Sequence, residues 1–149
     1  MECAQALVIG IGNRLRSDDG TGIQLAESLA TQMPALQVML CAQLTPELTD
    51  PISQARVVLF VDAWKPETPS CHPQLISLQA SPSGDPSSHA LTPSRLLALC
   101  QALYGACPPA WQLLIPGQRW ELGDELSCAA AAASAAALPL LLEWVEAHA

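Results

Sequence analysis

The sequence is short of positive charge. Lys and Arg together number 6 against 14 Asp and Glu, which gives a formal net charge of −8 at pH 7. Nucleic acids and anionic membrane surfaces are bound largely through cationic side chains. We therefore expect neither nucleic acid nor membrane among the partners. Half of the residues are apolar and only 13% are charged, a composition typical of a folded globular domain.

Long hydrophobic runs and paired cysteines are also lacking. The longest weakly polar stretch, residues 129–142, contains Pro139 and falls short of the roughly 20 residues that span a bilayer, so we predict a buried helix there. No basic residue precedes the first apolar run, as it would in a secretory signal. The six cysteines include no CxxC pair. We expect reduced, mostly structural thiols and a cytoplasmic location.

Several common catalytic and nucleotide motifs are absent. The sequence has no P-loop, no GxSxG elbow and no cysteine in a recognisable catalytic context. The glycines Gly10 and Gly12 begin a dinucleotide fingerprint, but the position of its third glycine is Leu15. Two acids at the start of the next helix would also repel a pyrophosphate. No nucleotide cofactor is expected.

Strand and helix patterns alternate along the chain. Helices are predicted at 19–33, after Thr45, after Thr92 and after Ser127, and strands at 6–11, 36–41, 56–62, 74–78 and 111–115. This order predicts an α/β fold: one domain, residues 1–149, in a three-layer sandwich with a mostly parallel five-stranded sheet and helices on both faces. The continuous apolar run at 56–62 indicates the central strand. The direction of strand 74–78 is left open.

The segment VIGIGNRLRSDDGTG, residues 8–22, is the most informative in the chain. An apolar strand runs into a glycine turn, and Asp18 and Asp19 follow at the start of a helix. In open α/β sheets this places acidic oxygens at the carboxyl edge, where ligands bind. We interpret Asp18 as the N-cap of the helix and Asp19 as facing the cleft. Asn13 suits a left-handed turn, with its amide directed toward the same cleft.

Two further polar residues fall where they can join Asp19. Asp62 ends the central strand, and His89 lies in the loop before the helix at 92. Two carboxylates and an imidazole form a donor set suited to zinc, nickel, manganese or cobalt. The structural alternatives are a turn-capping Asp62 and a solvated His89. A pair of aspartates sharing one proton, as in aspartic proteases, also stays open.

These residues resemble those of a known family. The GIGN turn, the DDGTG after it, the strand ending FVDA and the loop histidine before a helix are similar to the hydrogenase maturation endopeptidases. Those enzymes cut a C-terminal extension from the large subunit of NiFe-hydrogenases after nickel insertion. The resemblance implies an α/β fold and assigns Asp19, Asp62 and His89 to metal contact and catalysis. The metal it implies is nickel held by the precursor.

The expected function is therefore a nickel-gated endopeptidase acting on a NiFe-hydrogenase large-subunit precursor. Cleavage would come from a metal-polarised carbonyl or a carboxylate-activated water, with Gly12 and Asn13 contacting substrate. The alternative is a non-enzymatic, nickel-dependent binder of the precursor. A small-molecule hydrolase or nucleotide enzyme on the same sheet is a third hypothesis, supported only by Gly10 and Gly12.

Overall fold

The structure is a computed structural model that describes residues 5–82 and 91–148, and over these residues five strands form one sheet. The strands are β1 Ala6–Ile11, β2 Gln37–Cys41, β3 Val57–Trp64, β4 Gln74–Leu78 and β5 Ala110–Pro116. Their order in the sheet is β2-β1-β3-β5-β4. Pairing is parallel throughout except between β4 and β5, which are antiparallel.

Strand β3 lies at the centre of the sheet, as its apolar run predicts. Every residue from Val57 to Val61 is buried, because β1 and β5 flank the strand and helices cover both of its faces. A strand in this position has no solvent-facing side and therefore shows no alternation of apolar and polar residues.

The helices form the two outer layers of the sandwich. They are α1 Thr21–Gln32, α2 Thr49–Gln54, α3 Pro93–Tyr104 and α4 Cys128–His148, with short 3₁₀ turns at Ser17–Gly20 and Pro46–Leu48. Leu29 of α1 and Leu141 of α4 belong to one core cluster, and Ile52 of α2 and Leu96 of α3 to the other. The predicted three-layer α/β fold with a mostly parallel sheet is confirmed.

Helix α4 carries the weakly polar stretch. By length and composition alone it is the one helix of the described residues that could cross a membrane. Its inner face, including Ala133, Ala137 and Leu141, is instead buried in the core against the sheet. Pro139 lies on the exposed side, and one continuous helix runs through it.

Two of the helices begin where their sequences predict. The Thr92 hydroxyl accepts a hydrogen bond from the Arg95 N–H at 3.2 Å, and the Ser127 hydroxyl accepts one from the Ala130 N–H at 3.1 Å. Both are side-chain N-caps. The first helix differs from its prediction, because a 3₁₀ turn occupies 17–20 and α1 starts only at Thr21.

The first turn of α1 packs against the sheet with no room for a side chain. A Cβ on Gly22 would lie 2.5 Å from the Val61 carbonyl oxygen and 2.8 Å from that of Ile11. A Cβ on Gly10 would meet the Cβ of Ala26 at 2.5 Å. In a dinucleotide fingerprint the third glycine, whose position here is Leu15, lets the helix pack closely against the sheet. In this chain Gly22 allows that close packing.

We expect Gly22→Ala to lower the free energy of unfolding by about 1–3 kcal/mol, the usual cost of overpacking. Alanine is the better helix former, so a loss must come from the two carbonyl oxygens, which are backbone atoms and cannot rotate away. Urea denaturation measures the change. The control is Ser28→Ala on the exposed face of α1, and equal stability of the two variants would contradict the close approach.

Candidate functional site

A cavity of about 420 Å³ opens at the carboxyl edge of the sheet. Strands β2 and β3 lie on opposite sides of β1, so the order in which successive strands are added to the sheet reverses between β1 and β3. A crevice forms at such a switch point, and ligands of α/β folds bind there. The cavity is lined by Ile11, Gly12, Asp19, Ala42, Gln43, Leu44, Asp62, Ala63, Trp64, Leu91, Thr92, Pro93, Gln112 and Leu114.

Asp62 lies where β3 loses one neighbour. The pairing of β3 with β1 ends at Val61, opposite Gly10, whereas its pairing with β5 continues to Trp64. The prediction that Asp62 is the last residue of the strand is therefore wrong. The pairing with β5 holds Asp62 in extended backbone, and the departure of β1 leaves an opening beside it.

Asp19 reaches the cavity from the 3₁₀ turn that follows β1. Its Oδ2 atom accepts a hydrogen bond from the Asn13 backbone N–H at 2.9 Å. The turn closes tightly on itself, because a Cβ on Gly12 would lie 2.0 Å from the Asp19 carbonyl oxygen. Gly12 has a φ of +146°, a conformation that favours glycine. Gly12 and Asp19 thus come together at one side of the cavity.

Both cavity carboxylates have raised pKa values, and the charge of Asp19 contributes to the shift of Asp62. Burial raises the pKa of Asp62 to about 7, with a further contribution from the negative charge of Asp19, against the opposing N–H of Ala63. Burial also raises the pKa of Asp19, although the Asn13 N–H and the charge of Arg16 act in the opposite direction. At neutral pH Asp62 is therefore poised to gain or lose a proton, or to bind a cation.

Asp18 faces away from the cavity and is fully buried. Its Oδ2 accepts hydrogen bonds from the N–H groups of Gln118 at 2.7 Å and Arg119 at 2.8 Å and from the Ser127 hydroxyl at 2.7 Å. Its Oδ1 accepts from the Ser127 N–H at 2.8 Å. Burial alone would raise the pKa of Asp18, but these donors outweigh it and hold the pKa below its ordinary value.

The predicted role of Asp18 as the N-cap of the first helix is wrong. Neither the 3₁₀ turn nor α1 receives a side-chain cap hydrogen bond. The carboxylate instead links the 3₁₀ turn that carries Asp19 to the loop between β5 and α4 through hydrogen bonds. Its partners lie about a hundred residues later in the chain, so no local pattern signals them.

Asn13 also differs from its prediction. Among the described residues, Ser17, with a φ of 52°, is the one non-glycine residue with a positive φ. The Asn13 side chain bonds its own turn, because its Oδ1 accepts from the Leu15 N–H at 2.9 Å. Its contribution to the site is the backbone N–H that Asp19 accepts, and its side chain does not line the cavity.

His89, the third predicted ligand, lies outside the described residues. It precedes Leu91 by two positions in the sequence, and Leu91, Thr92 and Pro93 form one wall of the cavity. Over residues 5–82 and 91–148, no group of three His, Cys, Asp or Glu side chains converges. The described part of the site therefore contains two carboxylates, Asp19 and Asp62, and carboxylate oxygens are donors that suit a hard or borderline cation.

Two polar residues of the cavity, Gln43 and Gln112, were missed by sequence reasoning. Gln112 of β5 pairs in register with Phe60, two positions before Asp62, and lines the cavity beside Leu114. The signal was a single amide within an otherwise apolar strand. The pattern did not reveal that this position lines the same cavity as the two carboxylates.

No protein-family model and no curated protein matches the chain. Solved structures do match it. HybD, a hydrogenase maturating endopeptidase from E. coli, has a TM-score of 0.76 at 16% identity, over 96% of this chain and 93% of that one. The [NiFe] hydrogenase maturation protease HycI from Thermococcus kodakarensis has a TM-score of 0.71 at 19% identity, over 96% and 93%.

A hydrogenase 2 maturation peptidase from Thaumarchaeota archaeon SCGC_AB-539-E09 has a TM-score of 0.69 at 22% identity, over 95% of this chain and 97% of that one. At identities this low, the structural similarity shows a common fold. The matches extend over nearly the whole length of each chain. The fold implied by the sequence resemblance is thus the fold observed.

We expect the carboxyl carbon of Asp62 to titrate near pH 7 in a ¹³C NMR experiment. In Asp19→Asn the midpoint should fall, because the neighbouring negative charge is gone, yet stay above the ordinary value of about 3.9 because Asp62 is still buried. Glu143→Gln, a change at an exposed residue of α4, is the control and should leave the midpoint unchanged. An Asp62 that titrates near pH 4 in the wild type would contradict the proposed environment.

We expect Asp18→Asn to lower the free energy of unfolding at pH 7 by about 2–4 kcal/mol, since an amide cannot accept all four hydrogen bonds of a buried carboxylate. The folded-state pKa of Asp18 lies below the unfolded one, so its stabilisation is present above about pH 4 and is lost as the pH falls further. Denaturation at pH 7 and at pH 2.5 should show the difference shrinking in acid. Asp124→Asn, at an exposed position, is the control.

Proposed function

We propose that this protein is an endopeptidase that removes the C-terminal extension of a NiFe-hydrogenase large-subunit precursor after nickel insertion. The observation that carries the proposal is the pair Asp19 and Asp62 at one cavity of the sheet switch point. It is supported by the fold, which the chain shares with hydrogenase maturation peptidases of bacteria and archaea. We propose a cytoplasmic location, where the precursor would be assembled.

The nickel ion belongs to the precursor in this proposal and is recognised as part of the substrate. Asp19 and Asp62 would contact it through carboxylate oxygens, and His89 would add a nitrogen donor from the segment before Leu91. Nickel accepts such mixed oxygen and nitrogen ligands. Because a ligand carboxylate must be ionised, binding of the metal-loaded precursor would displace the proton of Asp62 and favour its charged form.

The residues that line the cavity would have different roles in peptide hydrolysis. The precursor's nickel would polarise the scissile carbonyl. Asp62, ionised by its contact with the metal, would accept a proton from the attacking water through its second carboxylate oxygen and pass it to the departing amine. Asp19 would hold the metal-bearing end of the substrate. Leu44, Trp64 and Leu91 would cover the reacting bond and limit competing water.

We expect incubation with a nickel-loaded precursor to release a short C-terminal peptide, and incubation with a nickel-free precursor to release none. Mass spectrometry identifies the cut. The double variant Asp19→Asn, Asp62→Asn should lose activity by about a hundredfold or more, because both the metal contacts and the proton acceptor are removed. Asp124→Asn, which changes an exposed acid without touching the cavity, should retain full activity.

Two outcomes would contradict this function. Nickel-dependent binding of the precursor with no peptide released after long incubation would identify the protein as a binder that recognises the metal without cutting. Unimpaired cleavage by the double variant would place the active site elsewhere.

A further inference from the structure

One edge of the sheet leads directly into the cavity. Strand β2 stands at the end of the sheet order and pairs with β1 alone. From Cys41 the chain continues into residues 42–44, all of which line the cavity that Asp19 and Asp62 also line. A peptide that paired with the free side of β2 would therefore run into the cavity.

The free side of β2 carries main-chain groups that have no partner among the described residues. The Gly12 N–H donates to the Cys41 carbonyl at 3.0 Å, so the Cys41 backbone faces β1. Backbone direction alternates along a paired strand, and the main-chain groups of Leu40 and the N–H of Ala42 therefore face outward. Val38 follows the same alternation. We refer to the outward main-chain groups of Val38, Leu40 and Ala42 as the open edge.

The open edge lacks the features that usually protect an edge strand. Its sequence, QVMLC, contains no charged residue and no proline, and the strand pairs with β1 in unbroken register without a bulge. Leu40 is 43% exposed. An unprotected edge accepts a further strand through main-chain hydrogen bonds. The donors and acceptors of the open edge thus match those of an extended peptide.

The other edge of the sheet is less suited to this task. Strand β4 ends the sheet on the opposite side, and neither β4 nor the residues directly flanking it line the cavity. A peptide added to β4 would be separated from Asp62 by strand β5, which pairs with β3.

We propose that the C-terminal extension of the hydrogenase large-subunit precursor binds as an added strand along the open edge, which leads the bond to be cut into the cavity. The inference rests on the proposed function and names the contact that aligns the peptide there. An endopeptidase must hold its substrate chain in place beside the reacting groups, and main-chain pairing does so for many side-chain sequences. A second copy of β2 is the less suitable occupant, because two chains that each carry a net charge of −8 repel one another.

The first test compares two variants of Leu40 on nickel-loaded precursor. Leu40→Pro removes the outward N–H, which takes no part in the pairing with β1, and proline is tolerated at such edge positions. Leu40→Ala is the matched control, because it loses the same side chain and keeps the N–H. We expect the KM of Leu40→Pro to exceed that of Leu40→Ala about fivefold, the factor that one hydrogen bond usually contributes, with similar kcat. Thermal unfolding of both variants checks that the fold is retained.

The second test uses amide hydrogen exchange in the wild-type protein, followed by NMR. In the free protein the Leu40 N–H should exchange faster than the Cys41 N–H, which faces β1. A synthetic peptide with the sequence of the precursor's extension is then added at millimolar concentration. Exchange at Leu40 should slow about tenfold or more, because its N–H gains a partner, whereas exchange at Cys41 should change little.

The outcomes separate this inference from the proposed function. Unchanged exchange at Leu40, or equal KM values of the two folded variants, overturns the added strand, and cleavage of the precursor by the wild type then leaves the proposed function intact. A wild type that neither binds nor cuts the precursor overturns both. Protection of Leu40 that appears without peptide and grows with protein concentration assigns the open edge to pairing between two copies of this chain, and the inference is then wrong.

Discussion

The buried carboxylate of Asp18 is the constraint on which the site depends. It lies between the turn after β1 and the loop before α4 and accepts a hydrogen bond from each of four donors. A buried charge without partners would be costly, so the turn and the loop must stay together for the carboxylate to remain ionised. Asp19 is the next residue, and its position follows from that of Asp18. Fixing one acid therefore fixes the other.

Adjacent acids in this turn have opposite chemical properties. Four donors lower the pKa of Asp18, whereas Asp19 has a single backbone donor and a raised pKa. Across the cavity, Asp62 has few donors and an acid neighbour, and its pKa rises furthest. The three side chains are chemically identical, and their surroundings determine their roles. Asp18 stabilises the fold, whereas Asp19 and Asp62 line the cavity.

The fold was predictable because its signals are local. The apolar run of β3 marked the centre of the sheet, and the bounds of β4, Gln74–Leu78, agree with the predicted strand. The placement of Asp19 and Asp62 on one edge followed from parallel topology. The antiparallel direction of β4 did not, because side-chain alternation is the same for both strand directions.

The failures arose where distant segments decide local structure. Asp18 has the residue type and position of a helix cap, but its partners come from 118–127. Strand β3 extends past Asp62 because β5 keeps pairing with it, and the sequence of β3 carries no sign of that. Asn13 closes its turn through a side-chain hydrogen bond to the Leu15 N–H, which is a second way in which asparagine stabilises turns.

The span of the Asp18 contacts has a consequence for biosynthesis. Asp18 is synthesised about a hundred residues before Gln118 and Ser127. During translation the turn after β1 therefore lacks these hydrogen-bond donors until they have been made. Until they emerge, nothing holds that carboxylate in a fixed place. A nascent chain therefore cannot present an organised pocket before residues 118–127 have been synthesised.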